Sequence, residues 1–130
     1  MNNLTHTLAR SVFDKITAID TGDKDNSYKK KYGKMALKLP VLVQNAGLLQ
    51  ALAFIEDKKE DPYKALVKDL AGVLGYGDSA ERLRNACIDL PFGEYRYLTR
   101  RAMIALTWFK RFAQSTWPEI LKEADDEQGG

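Results

Sequence analysis

A single cysteine and a single histidine in 130 residues remove whole classes of chemistry at the outset. Cys87 has no partner for an internal disulfide, which points to a reducing, cytoplasmic setting. With one soft ligand of each kind, a zinc site has no donor set. Nucleophilic catalysis needs a base beside the nucleophile, and His6 falls in the first turn of the first helical pattern, where a surface position is expected. Cys87, between Ala86 and Ile88, reads as buried apolar filler with nothing to lower its pKa. Apolar runs are short: none approaches the ~20 residues of a membrane span, and the start Met1-Asn2-Asn3 has no charged-then-apolar signal layout. Gly75-Tyr76-Gly77 has no following Gly-Lys-Ser/Thr and no preceding strand, so it reads as a helix stop and not a phosphate loop. Glu56, Asp57, Glu60 and Asp61 are interleaved with Lys58 and Lys59 and read as a solvated loop. A carboxylate pair leaves no signature of its own. Otherwise these absences point away from an enzyme, a cofactor, a metal, a small-molecule substrate and a membrane.

What is present is helical periodicity, with no convincing strand alternation. Leu4, Leu8, Val12, Ile16 and Ile19 predict a first helix over roughly 4–19, capped by Asn3 or Thr5. A second, from about Ser27 to Leu39, carries Tyr28, Tyr32, Met35, Ala36 and Leu39 on one stripe, and Pro40 either kinks it or opens a new helix. The apolar stretch 41–55 is expected to bend or break near Asn45 and Gly47. Asp61-Pro62 starts the next helix, with Asp61 as its cap. Asp78 with Glu81 forms a capping-box-like start for a short helix ending near Leu90. Pro91 leads into a long last helix. The expectation is an all-α fold, a compact bundle of about six helices forming one domain over 1–118, followed by an acidic, frayed tail over 119–130.

The net charge of +2 conceals an asymmetry. Five of the 18 acids and one of the 20 bases follow Pro118, so residues 1–118 hold 19 bases and 13 acids, a balance of +6. A basic body favours polyanionic partners, although a solvated surface with a chance imbalance explains it equally well. The bases are arranged in rows. Lys30, Lys34 and Lys38 recur at i, i+4 and i+8 with Lys31 beside them, opposite the Tyr28/Tyr32/Leu39 stripe. On the last helix Leu98, Ala102, Ala105, Phe109 and Phe112 form a core stripe, while Arg96, Arg100 and Arg111, with Thr107, lie opposite. Guanidinium groups bind phosphate bidentately, so Arg96, Arg100 and Arg101 are stronger phosphate candidates than the lysines. Apolar residues are also in surplus. Leu37 and Val41, and on the last helix Tyr97, Ile104 and Trp108, project away from the core stripes. They either pack within the bundle or meet another protein.

Two segments, KYGKMALKLPVLVQNAGLLQALAFI (31–55) and EYRYLTRRAMIALTWFKRFA (94–113), resemble the small α-helical subunit of type III-B CRISPR effector complexes, the fifth Cmr subunit. Tyr32, Leu39, Pro40, Asn45, Gly47, Leu48, Gln50, Leu52, Ala53 and Phe54 carry the resemblance in the first. Tyr95, Leu98, Thr99, Arg100, Ala102, Leu106, Trp108, Lys110, Arg111 and Phe112 carry it in the second. The spacer Tyr63–Leu70 also fits.

The resemblance implies a non-catalytic subunit present in several copies, stacked beside RNA-binding backbone subunits along the channel where guide RNA pairs with target RNA. Its partners would be other Cmr-type subunits, both backbone and large, further copies of itself, and guide and target RNA. Positions 29–38, 96, 100, 101 and 111 become phosphate candidates, and the spare apolar edges face neighbours. Gln44, Asn45 and Gln50 then reach RNA or a neighbour, or else satisfy helix ends at the Gly47 bend. The Gly75-Tyr76-Gly77 turn and the acidic tail have no place in the resemblance. Two other readings stand beside it: a purely structural adaptor, and a free-standing nucleic-acid-binding helical protein, the latter without helix-turn-helix spacing.

Overall fold

Tyr32, Leu39, Leu98 and Phe109 are at most 2% exposed and mark the centre of the fold, to which α2 and α6 bring their apolar stripes. The computed structural model describes residues 3–122. Its main elements are α1 (Asn3–Thr21), α2 (Asn26–Ala46), α3 (Leu48–Glu56), α4 (Asp61–Val73), α5 (Ala80–Asp89) and α6 (Phe92–Thr116), and residues 118–122 form a last short helical segment. The all-α expectation is met, and no strand occurs among the described residues. α6 packs along both α1 and α2, α4 lies against α2, and α3 and α5 close the far end over α4. Ala102, Ala105 and Ala113 on α6 are fully buried, and such small residues let neighbouring axes approach closely. Each large apolar side chain buried in this way contributes about 1.5–3 kcal/mol.

α2 runs without interruption through Pro40, so the proline does not open a new helix. Asp25 accepts a 2.9 Å hydrogen bond from the Tyr28 amide and caps it. The expected break falls at Gly47, whose φ of +91° requires the left-handed region that only glycine enters cheaply. Two expected caps are displaced by one residue. Glu60, not Asp61, holds the cap position of α4, with no side-chain cap bond. Ser79, not Asp78, caps α5, accepting from the Arg82 amide at 3.1 Å. Asp78 instead faces Lys15 of α1 at 3.4 Å.

The helical body extends beyond the expected boundary at residue 118. Trp117 is 3% and Leu121 5% exposed. A Cβ at Gly33 would lie 2.6 Å from Leu121 Cδ2, so the bare backbone of α2 is what admits this last turn. Trp117 also donates from Nε1 to Asp20 at 2.9 Å and meets Tyr32 edge-on at 6.1 Å. Residues 119–122 are therefore part of the fold, and the rest of the acidic tail lies outside the described residues.

Candidate nucleic-acid interface

α6 buries Leu98, Ala102, Ala105, Leu106, Phe109 and Ala113, which leaves the opposite side of a 3.6-residue helix to solvent. Arg96, Arg100 and Arg111 lie there, all exposed, and none makes an ion pair among the described residues. Two of the three lie against rings of the same helix: Arg96 over Phe92 at 5.8 Å and Arg111 over Trp108 at 5.9 Å. Arg96 and Arg100 flank Gly93 and Tyr97, and the four line an open cleft of about 220 Å³.

Arg101 is placed differently from its neighbours. Its Nη2 donates to the Leu74 carbonyl at 3.0 Å, satisfying the C-terminal end of α4, and its guanidinium lies over the Tyr97 ring at 5.9 Å. This intramolecular role separates it from Arg96 and Arg100. Tyr95, one residue before the arginine row, reaches the other way. Its hydroxyl accepts the Leu49 amide at 3.2 Å, capping α3. α6 thus ties off the ends of two other helices while presenting its cationic side outwards.

The α2 lysines form a less open row. Lys31 pairs with Glu60, which holds its ammonium above the usual lysine range through their hydrogen bond. Lys29 approaches Asp20 at 3.6 Å. Lys30 and Lys34 are half-buried and have contacts of their own, and Lys38 is exposed. Two of the four loop acids are structural as well, since Glu56 pairs with Arg84 at 3.2 Å while Glu60 holds Lys31. They are not simply solvated, because α2 and α5 bring cations to them.

The spare apolar residues divide into two sets. Leu37, Lys38, Val41, Leu42 and Phe54 line a groove of about 340 Å³ where α2 meets α3. Val41 is 55% and Phe54 44% exposed. Tyr97 is exposed and Ile104 half-buried on α6. Trp108 is largely engaged within the molecule: it stacks on Phe112 at 5.2 Å, and Phe112 meets Phe13 of α1 edge-on at 5.4 Å. Phe112, expected in the core stripe, is accordingly half-buried in this surface ladder. Gln44, Asn45 and Gln50 are exposed and cap neither helix at the corner, since the Gly47 amide goes to the Val43 carbonyl and the Leu49 amide to Tyr95.

The sequence pattern did not single out Phe92, 74% exposed, nor Phe13 and Phe54 as surface residues. A signal existed: an aromatic residue four positions before an arginine occurs twice at the start of α6, as Phe92/Arg96 and Tyr97/Arg101. Among the described residues no group of three or more His, Cys, Asp or Glu side chains is gathered to hold a metal ion. No helix there is long and apolar enough to cross a membrane.

This architecture is that of a small all-α bundle with a cationic outer side on its last helix. A crystal structure of a CRISPR-associated Cmr5 family protein from Thermus thermophilus matches it with a TM-score of 0.77 at 40% sequence identity, covering 88% of this chain and 97% of that one. A curated relative from the same organism, the CRISPR system Cmr subunit Cmr5, is 42% identical over 115 residues, 88% of this chain and 96% of its own length. The model of the family described as CRISPR-associated protein (Cas_Cmr5) matches residues 4–116. The chain belongs to the Cmr5 family.

Proposed function

We propose that this chain is the non-catalytic small subunit of a type III-B CRISPR ribonucleoprotein in the cytoplasm, stacking in several copies along the complex and helping to hold guide and target RNA in antiviral defence. Arg96, Arg100 and Arg111 on the outer side of α6 carry the reading: three exposed guanidiniums without carboxylate partners among the described residues. Such a row meets phosphates without regard to sequence, through Coulomb attraction and counterion release. Sequence-independent contact suits a guide-programmed complex, in which base pairing reads the target. Lys30, Lys34 and Lys38 on α2 form a second, weaker phosphate row, with Lys31 committed to Glu60.

One copy binds weakly, with a dissociation constant of roughly 10⁻⁴–10⁻⁶ M for non-specific contacts at physiological salt. Copies in an array raise the effective concentration, so avidity dominates. The groove formed by Leu37, Val41 and Phe54 supplies an apolar face of the kind a neighbouring subunit buries. It also supports the second reading, an adaptor that contacts protein alone. The test is Arg96→Glu with Arg100→Glu in the assembled complex. Target-RNA capture falls while the isolated chain keeps its helical content. Undiminished capture removes the phosphate role and leaves the adaptor.

A further inference from the structure

The cleft at the start of α6 is more than a patch of positive charge. Its floor is Gly93, where an added Cβ would meet nothing within 4 Å, and its sides are Arg96, Tyr97 and Arg100. Tyr97 is 53% exposed. Arg101, itself held by the Leu74 carbonyl, lies over the Tyr97 ring and restrains it. Arg101 is thus a positioning residue for an aromatic surface that faces solvent. At about 220 Å³ the cleft is several times the ~30 Å³ share of one water and has room for a heteroaromatic ring. No carboxylate lines it, and Glu94 lies about 160° round the helix from Arg96.

We infer that this cleft is a seat for one unpaired nucleobase of single-stranded RNA, the base lying on Tyr97 over the Gly93 floor and the flanking phosphates held by Arg96 and Arg100. Exposed aromatics beside cations are how single strands are gripped, because every base offers a π-face and every linkage an anion. A duplex backbone would use the arginines and leave Tyr97 idle. A protein partner would need an acidic side chain as well as an apolar one, and the Leu37/Val41/Phe54 groove offers protein a far more apolar surface. The inference rests on the phosphate role proposed for Arg96 and Arg100, and adds to it a requirement for bases.

The two are separable with the full chain and a fluorescently labelled eight-nucleotide oligouridylate, compared with the same oligomer made abasic. Anisotropy is followed to millimolar protein over a series of salt concentrations. The base-bearing oligomer binds about ten-fold or more tightly than the abasic one. Tyr97→Leu abolishes that preference. So does Gly93→Leu, which fills the floor at a helical position with open space and leaves every charge in place. Neither changes the salt slope, whereas Arg96→Gln with Arg100→Gln lowers it by about 1.4. Circular dichroism checks that each variant is folded. Equal affinity for the two oligomers overturns the base seat even if the arginine pair still sets the salt slope, which leaves the phosphate role standing. No binding of either oligomer at millimolar protein overturns the seat. If charge reversal at Arg96 and Arg100 is also silent in the assembled complex, the phosphate role fails too. Loss of subunit association by Tyr97→Leu, with RNA binding unchanged, makes the cleft a protein contact and overturns the inference.

Discussion

The Arg101 guanidinium donates to the Leu74 carbonyl at 3.0 Å, so a residue within a run of basic residues closes the end of a different helix. Arg101→Met removes a partly buried, charge-assisted bond and leaves a helix-end carbonyl unpaired, costing about 1.5–3 kcal/mol of stability. Arg100→Met, at an exposed position with no ion pair among the described residues, stays within about 0.5 kcal/mol of the parent. Urea denaturation of the two variants checks the contrast. Equal midpoints would deny Arg101 its structural role.

Tyr32 is wholly buried and donates a 2.6 Å hydrogen bond to Asp69 Oδ2. Burial pushes the Asp69 carboxyl above its ordinary value of 3.8, against the lowering effects of the Tyr32 hydroxyl and the Lys15 ammonium. The folded state therefore holds this proton to higher pH than the unfolded chain does. The resulting stabilisation is full below pH 3.8 and is lost as pH rises through the folded value. Asp69→Asn keeps an acceptor for Tyr32 without the charge. Relative to this variant, the parent loses stability as pH rises from about 3.8 and then levels, as read from denaturation midpoints. Tyr32→Phe, which removes the donor and keeps the ring, costs about 1.5–3 kcal/mol.

Cys87 is 7% exposed, and burial pushes its thiol up to about 11. At pH 8 only about one molecule in a thousand carries the thiolate, the reactive form. Ellman's reagent therefore reacts slowly with the native chain and rapidly, with one equivalent, in denaturing urea. Fast native labelling would contradict the burial of this thiol.

Val41 is the cleanest probe of the apolar groove, because it is exposed and makes no aromatic or polar contact that the fold requires. Val41→Asp keeps the chain folded and weakens its incorporation into the complex by about ten-fold, measured by co-purification with other subunits. Trp108→Ala is the poorer probe, since it also removes the stack on Phe112 and destabilises the bundle by about 1–3 kcal/mol. Normal incorporation of the Val41 variant would move the neighbour contact elsewhere.

Helices with strong stripes were readable from the chain, because burial repeats every turn and the repeat is written in Leu8/Val12/Ile16 or Leu98/Ala102/Ala105. Gly47 and the Gly75-Tyr76-Gly77 stop were readable for a related reason: a positive φ favours glycine, although Lys59 also adopts one. What could not be read were bonds made across the fold. Tyr95 capping α3 and Arg101 closing α4 join residues 46 and 27 positions apart. Helical phase sets both nearer the core stripe than the exposed Tyr97 and Arg100, but it does not name the amide or carbonyl that each one reaches. The commitment of Lys31 to Glu60 was hidden in the same way, and so was the seating of Leu121 on Gly33. The helical pattern was accordingly right about which side of α6 faces outwards, but could not show that Arg101, beside that side, is bonded to the end of α4.

Because Pro40 does not end it, α2 is a single helix of 21 residues, about 31 Å along its axis. Its first half carries Lys29, Lys30, Lys31 and Lys34, and its second half carries Lys38 and Val41 of the groove. A neighbour gripping the second half therefore fixes the distance from its own seat to the first. In any assembly in which that grip recurs from copy to copy, the lysine rows recur with the same period. The continuous helix then acts as a ruler between protein contact and charge, and a break introduced at Pro40 would blur the spacing without removing a single contact residue.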